Sequence, residues 1–139
     1  MEDWFAVQSL FTRYASSLDR CDVEAVVACF TADATLDSPV LGTFAGHDGI
    51  RAFATRTADL KRDHGVQFRH VVSNLEVDVA ADGRTARATC YLLDFRTRAG
   101  KTELLSPGVY DCSLRRVAGR WRFSRRRVVM DQTFREADL

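Results

Sequence analysis

The chain of 139 residues contains three histidines, and one of them is well placed for acid–base chemistry. An imidazole titrates near neutral pH and can both accept and donate a proton. His47 lies in a glycine-rich turn, where it favours the start of a helix, and His64 lies at the end of that helix, where a cation suits the helix dipole. His70 lies instead in an apolar, strand-like segment. It is the candidate general base, provided that another side chain fixes its tautomer.

The side chains that bind metals or carry redox chemistry form no recognisable motif. There are four cysteines, and they include no C-x-x-C pair and no Cys/His cluster with zinc spacing: Cys21, Cys29, Cys90 and Cys112. We expect them to be reduced, packed thiols. The pair Gly46 and Gly49 is too short for a nucleotide-binding loop. We therefore expect chemistry that uses no metal and no other cofactor.

The composition indicates one globular domain over residues 1–139 and argues against two classes of partner. Lys and Arg number 20 and Asp and Glu 19, so the net charge of +1 lacks the basic excess of a nucleic-acid-binding protein. No apolar run approaches the roughly 20 residues of a membrane span. The start, Met1-Glu2-Asp3-Trp4, is acidic and amphipathic, unlike a secretory signal. We expect a cytoplasmic protein with neither nucleic acid nor membrane as a partner.

The first half of the chain predicts three helices and a small hairpin. The first helix shows an apolar stripe at three- and four-residue steps: Trp4, Val7, Phe11, Tyr14, Ala15 and Leu18. A short second helix follows Asp22, a favourable N-cap. Residues 34–37 and 43–45 predict the hairpin. The third helix begins within 46–49 and ends at Gly65.

Everything after Gly65 predicts four long strands with short turns between them: 66–80, 85–97, 102–115 and 120–133. Long consecutive strands of this kind form a curved antiparallel sheet, and helices on one face of such a sheet define an α+β fold. In the last strand, Arg125–Arg127 point alternately to the two faces. One of these arginines can therefore turn inward, and the pattern leaves open which one.

The first long strand breaks its own alternation. Period two places Phe68 and His70 on one face, but the later apolar residues Leu75 and Val77 on the other. One extra residue near Ser73 would bring both sets to the same face. We therefore predict a β-bulge there, a feature that often lies beside active sites.

Five segments together resemble the SnoaL-like branch of the nuclear transport factor 2-like superfamily. They are Tyr14-Ala-Ser-Ser-Leu-Asp19-x-x-Asp22, Phe30-Thr-Ala-Asp33-Ala, Gly42-x-Phe44-x-Gly46-x-x-Gly49-Ile50, Arg69-His70-x-x-Ser73-Asn74 and Trp121-x-Phe123. The resemblance covers nearly the whole chain in the predicted order. It implies a cone-shaped α+β fold, in which a curved antiparallel (mixed) sheet wraps against three helices and encloses an apolar pocket.

The resemblance also implies partners for His70. Dehydratase-type relatives orient their histidine with an aspartate at the end of the first helix and carry a tyrosine five residues earlier, and Asp19 and Tyr14 match these positions. Five helical residues separate two side chains by about 140°, so this pair converges only if the helix ends or bends near Leu18. We expect His70, Asp19 and Tyr14 to be catalytic.

Three further residues are expected to bind the substrate: Asn74, Tyr110 and Phe53.

The catalytic residues of ketosteroid isomerase, a rival within the same fold, match poorly. Its carboxylate base falls on Ser38, and Asp37 beside it points to the other face of the strand. Its protonated aspartate falls near Tyr110 or Asp111, and the apolar alternation favours Tyr110 as the inward residue.

These residues predict a cofactor-independent dehydratase, isomerase or cyclase acting on a hydrophobic polycyclic or polyketide-like molecule. The alternative is a non-catalytic ligand-binding or subunit-assembly module, as the small subunits of ring-hydroxylating dioxygenases are. The enzyme hypothesis predicts that His70, Asp19 and Tyr14 share an apolar pocket, whereas the module hypothesis does not require it. The strand around Tyr91 and Leu93 is apolar on both faces, which predicts a homodimer or higher homo-oligomer packed sheet to sheet.

Overall fold

The structure, a computed structural model, describes residues 1–139. Its helices are α1 (Glu2–Asp19), α2 (Val23–Ala28) and α3 (Gly46–His64). Its strands are β1 (Phe30–Ser38), β2 (Gly42–Ala45), β3 (Gln67–Val79), β4 (Thr85–Arg98), β5 (Lys101–Val117) and β6 (Arg120–Met130), and a 3₁₀ turn spans Glu136–Asp138. The predicted order of elements is confirmed.

The six strands form one mixed sheet in the order β2-β1-β6-β5-β4-β3. Every neighbouring pair is antiparallel except β1 and β6, which are parallel. The helices pack on one face, where their apolar stripes and the inward residues of the strands form a core of 23 buried side chains. No helix is both long and apolar enough to cross a membrane.

The predicted helix ends are present. The Asp22 carboxylate accepts a hydrogen bond from the Ala25 backbone N–H at 3.2 Å and so caps α2. Gly65 ends α3 with φ +63°, in the left-handed region that glycine adopts without steric cost. Helix α1 ends at Asp19, and Cys21 turns the chain with φ +62°. The last residue of α1 is thereby held against the sheet.

The predicted bulge interrupts β3 after Ser73. The register with β4 shifts between Ser73 and Glu76, and Asn74 between them has φ +56°, a conformation that asparagine tolerates better than most residues. Because of the extra residue, Leu75 and Val77 pack against the core although they are out of phase with Phe68. The apparent break in alternation is thus a change of phase within one strand.

Candidate active site

Asp19 holds His70 through both oxygens of its carboxylate. Oδ1 lies 2.5 Å from His70 Nδ1, and Oδ2 accepts a hydrogen bond from the His70 backbone N–H at 3.0 Å. Both side chains are about nine-tenths buried. Since an ionised carboxylate only accepts hydrogen bonds, Nδ1 carries the proton and Nε2 is the ring nitrogen left to exchange protons with a ligand.

Asp94 lies on the other side of the imidazole. It pairs directly with His70 across the β3–β4 ladder, so the two side chains project from the same face. Its Oδ1 lies 3.6 Å from His70 Nε2, is buried, and has no hydrogen-bond partner. One imidazole thus lies between two buried carboxylates, and one carboxylate oxygen remains free for a ligand.

The neighbouring charges alter how these groups hold protons. Burial lowers the pKa of His70, but the charges of Asp94 and Asp19 and the hydrogen bond that His70 donates to Asp19 outweigh burial and raise it. Burial raises the pKa of Asp94, and repulsion from Asp19 adds to this, while attraction to His70 opposes it. His70 and Asp94 therefore both hold a proton more tightly than in water, His70 because of the neighbouring carboxylates and Asp94 because of its burial.

His70 and Asp94 form part of the wall of an apolar cavity. Thirteen of its seventeen lining residues are hydrophobic, and the other four are Ser38, Thr57, His70 and Asp94. The apolar wall combines α1, α3 and the inward face of the sheet, with Leu18, Phe53, Leu60, Phe68, Leu92 and Val128 among its members. Such a wall selects a hydrophobic ligand and leaves only a few polar groups to orient it.

Two tyrosines and an arginine form a second polar group at the same cavity. Tyr14 and Tyr110 both line it, and the buried guanidinium of Arg126 lies between their rings. Arg126 Cζ is 3.7 Å from the centroid of Tyr14 and 3.6 Å from that of Tyr110. Burial raises the pKa of Tyr14 to about 12 and that of Tyr110 well above its usual range. At neutral pH both hydroxyls are therefore protonated and can donate hydrogen bonds.

The structure brings most of the predicted site residues together. Tyr14 and His70 line one cavity, and Asp19 lies behind His70, because α1 ends at Asp19 as the spacing required. Phe53 and Tyr110 also line the cavity. Asn74 does not: it is exposed at the bulge, because the extra residue takes it out of the phase of Phe68 and His70.

The positions of the rival isomerase residues agree with the sequence analysis. Ser38 lines the cavity. Asp37 points away and accepts a hydrogen bond from Thr43 Oγ1 at 3.0 Å. Asp111 pairs with Arg87 on the opposite face of the sheet from the buried Tyr110. A carboxylate base on β1, which that chemistry requires, is therefore missing from the cavity.

Sequence reasoning missed Asp94 and left Arg126 undecided among three arginines. A signal for Asp94 was present, because period two continues Cys90 and Leu92 to residue 94, so an acid lies on an otherwise apolar face. The inward orientation of Arg126 follows from a shift in the register of β6 against β5 between Ser113 and Leu114, and no local sequence pattern reveals this shift. No group of three or more His, Cys, Asp or Glu side chains is arranged to hold a metal ion.

The family model of the SnoaL-like domain matches residues 1–127, and the chain therefore belongs to the SnoaL-like family. This family includes cofactor-free polyketide cyclases and dehydratases. No curated protein matches the chain.

Several solved structures have the same fold. ActVI-ORFA from Streptomyces coelicolor is 26% identical, and the similarity covers 96% of this chain and 100% of that one with a TM-score of 0.82. Aln2 from a Streptomyces species is 27% identical over 94% of this chain and 91% of that one, with a TM-score of 0.81. A protein from Novosphingobium aromaticivorans, described as a candidate scytalone dehydratase, is 20% identical over 95% and 86%, with a TM-score of 0.80. The predicted α+β fold is confirmed.

Proposed function

We propose that the chain is a cofactor-independent acid–base enzyme, a dehydratase, isomerase or cyclase. Its substrate is a hydrophobic polycyclic or polyketide-like molecule with an acidic hydrogen beside a carbonyl. One observation carries the proposal: His70 lies between two buried carboxylates on the wall of an apolar cavity. A buried acid–base group of this kind is costly for stability and is typical of a site that transfers protons.

The first step is removal of a proton by His70. Asp19 keeps the proton on Nδ1, so Nε2 accepts the hydrogen from the carbon next to the substrate carbonyl, and the C–H electron pair passes into the enolate. The imidazolium that forms is stabilised by the Asp19 carboxylate at Nδ1. Tyr14 donates a hydrogen bond to the enolate oxygen.

Asp94 completes the proton balance when the substrate loses water. In its protonated form it donates its proton to the leaving hydroxyl, the C–O electron pair leaves with the oxygen, and water departs. The His70 imidazolium then returns the substrate's proton to Asp94 across 3.6 Å, and both groups regain their starting forms. In an isomerase or cyclase the same enolate is instead protonated elsewhere or attacks a second carbonyl.

Two observations favour this proposal over the non-catalytic alternative. His70 and Tyr14 share one cavity, whereas an assembly module needs neither residue to face an apolar space. The SnoaL-like family, to which the chain belongs, also includes cofactor-free polyketide cyclases and dehydratases.

The outer face of the sheet supports the expected homodimer. Val71, Tyr91 and Val129 are 45%, 56% and 40% exposed, and cross-strand pairing joins them into one patch with Leu93 and Val109. A contiguous apolar patch on a sheet favours association, and a two-fold axis lets the same patch on a second copy cover it. The cavity opens on the other face of the sheet, so this contact leaves it free.

The test measures the deprotonation that all three reactions share. 2-Tetralone has a hydrogen that is both benzylic and next to a carbonyl, and its exchange in D₂O is followed by NMR. We expect the enzyme to accelerate this exchange and His70→Ala to lose the acceleration by about 10²–10⁴-fold. His64→Ala, a change at the end of α3 outside the cavity lining, is the matched control and should exchange like the parent protein.

Dehydration is tested separately with 3-hydroxy-1-tetralone, which loses water to give 1-naphthol. Asp94→Asn should retain most of the exchange with 2-tetralone but lose dehydration, because it retains the base and removes the acid. Exchange that is equal in the parent protein and in His70→Ala would refute the proposed base. Equal loss of both reactions in Asp94→Asn would remove the separate role of Asp94.

A further inference from the structure

Arg126 is a fully buried cation that has no acidic partner. Its Nη1 lies 3.7 Å from Cys112 Sγ, whereas Nε and Nη2 have no hydrogen-bond partner. No carboxylate comes within the 4.0 Å of an ion pair, although its exposed neighbour Arg125 reaches Asp37. A buried charge without a counter-charge is strongly unfavourable, so its presence calls for a role.

The guanidinium lies directly behind two aromatic residues of the cavity wall. Tyr14 and Tyr110 lie against it and line the cavity, whereas Arg126 itself does not reach the lining. Their centroids are 6.2 Å apart, so the cation bridges two residues that both present polar groups to one space. Phe123 and Phe11 lie farther from the cation, at 4.8 Å and 5.4 Å, and neither lines the cavity.

The groups around Arg126 carry no negative charge at neutral pH. Burial raises the pKa of Cys112 to about 12 and that of Cys90 to about 11, so both thiols stay neutral. The two tyrosine hydroxyls are likewise protonated. No hydrogen bond or ion pair joins the guanidinium to His70 or Asp94, although its charge opposes the rise in the pKa of His70. No negatively charged group therefore lies in contact with Arg126.

We propose that Arg126 is the positive charge behind a two-tyrosine oxyanion site, so that the cavity binds phenol- and enol-type ligands as their anions. The hydroxyls of Tyr14 and Tyr110 donate hydrogen bonds to the ligand oxygen, and Arg126 is a positioning residue that stabilises the resulting negative charge through the stacked rings. Preorganised donors and a fixed cation in a water-poor site stabilise an oxyanion far more than they do in water. This inference rests on the proposed function, in which an enolate forms at Tyr14.

The first test uses the unaltered protein and 4-nitrophenol, whose anion is yellow. We expect bound 4-nitrophenol to be the phenolate at pH values where the free compound is still mostly neutral, so its apparent pKa falls on binding. Nitrobenzene, which has the same shape without the hydroxyl, controls for apolar binding. Binding of 4-nitrophenol only in its neutral form would overturn the proposal, and this outcome requires no variant to fold.

The second test removes the charge. Arg126→Met should weaken 4-nitrophenolate binding by at least about tenfold, because the anion loses its counter-charge, and should leave nitrobenzene binding little changed. Arg127→Met, an exposed change at the next position of β6, is the matched control and should bind both compounds like the parent protein. If circular dichroism shows that Arg126→Met does not fold, Arg126→Lys is tested in its place. Because lysine keeps the positive charge, this variant should retain the spectral shift of the bound ligand.

The outcome is separable from that of the proposed function. His70→Ala should lose exchange of 2-tetralone yet retain phenolate binding, since His70 is not part of the tyrosine–arginine stack. If Arg126→Met binds 4-nitrophenolate as tightly as the parent protein, the role of Arg126 is refuted while the base remains. If exchange never depends on His70 but the phenolate shift depends on Arg126, the oxyanion site stands as a binding site alone.

Discussion

Asp19 Oδ1 and His70 Nδ1 lie 2.5 Å apart, although 51 residues of chain separate them. The contact joins the last residue of α1 to β3, and the backbone N–H of His70 donates to the other oxygen of the same carboxylate. The imidazole is therefore held in both position and tautomer by a single acid. This arrangement makes the ring a defined proton acceptor rather than a freely rotating one.

The substitution Asp19→Asn should leave the fold intact and remove most of the exchange of 2-tetralone. An amide cannot balance the imidazolium charge and can donate to Nδ1, which favours the wrong tautomer. The double variant with His70→Ala should lose little more than His70→Ala alone, because coupled groups act as a unit. Asp22→Asn is the matched control, since asparagine also caps a helix well. Fully additive losses would show that Asp19 and His70 act independently.

Tyr14→Phe separates the ring of Tyr14 from its hydroxyl. The phenyl ring still packs in the core and against Arg126, so the free energy of unfolding should change by about 0.5–1.5 kcal/mol at most. Turnover of 3-hydroxy-1-tetralone should fall much further, by about 10²–10³-fold, if the hydroxyl meets the enolate oxygen. Tyr91→Phe on the outer face of the sheet is the control. Normal turnover in Tyr14→Phe would remove Tyr14 from the mechanism.

The folded protein should lose stability as pH rises above about 6.5, the ordinary pKa of histidine. The pKa of His70 is raised in the folded state, so the folded state binds the proton more tightly than the unfolded state. The stability that His70 contributes is complete below the pKa of this residue in the unfolded chain. It is lost as pH rises through the pKa of the residue in the folded protein. The pKa of Asp94 is also raised, so the contribution of Asp94 to stability likewise falls as pH rises, in a lower pH range.

The pH dependence is measured as the urea midpoint from pH 6 to pH 9. His70→Gln should flatten the slope in this window, because glutamine does not titrate. Surface acids such as Asp3 and Glu24, whose hydrogen bonds to Trp121 and Arg51 lower their pKa values, titrate well below the window and do not obscure the slope. A slope that is unchanged in His70→Gln would assign the effect to other groups.

Tyr91→Glu should give a monomer, because the proposed homodimer associates through the outer face of the sheet. The change places a charge in the centre of the apolar patch on the outer face, where two copies would bring like charges together. Light scattering coupled to gel filtration at micromolar concentration measures the mass. Phe5→Glu, a change at an exposed apolar residue of α1, is the control and should remain dimeric. A parent protein that is already monomeric would contradict the proposed interface.

The fold was predictable because its signals are local. The stripe on α1, the cap at Asp22, the left-handed Gly65 and the phase change at Ser73 each depend on a few neighbouring residues. The parallel contact of β1 with β6 has no such signal, because it joins segments that are far apart in the chain. The resemblance to a family supplied that long-range information.

The site was predictable only in part, for the same reason. Asp19 and Tyr14 were identified through the family pattern, and the end of α1 placed them as expected. Predicting Asp94 as a site residue needs the β3–β4 pairing, which shows which β4 residue faces His70. Predicting Arg126 as the inward arginine needs the register of β6. Period two places Asn74 on the pocket face, but this phase does not continue across the bulge, and Asn74 lies outside the pocket.

The bulge in β3 divides one strand between two tasks. Before it, Phe68 and His70 form part of the cavity wall, and after it Leu75 and Val77 pack into the main core, where Trp4 Nε1 of α1 donates to the Leu75 carbonyl at 3.3 Å. Substitutions at the start of the strand therefore change what the cavity accepts, and substitutions at its end change how firmly α1 is anchored. Ligand preference can thus vary along this strand without altering the support of the helix that carries Asp19.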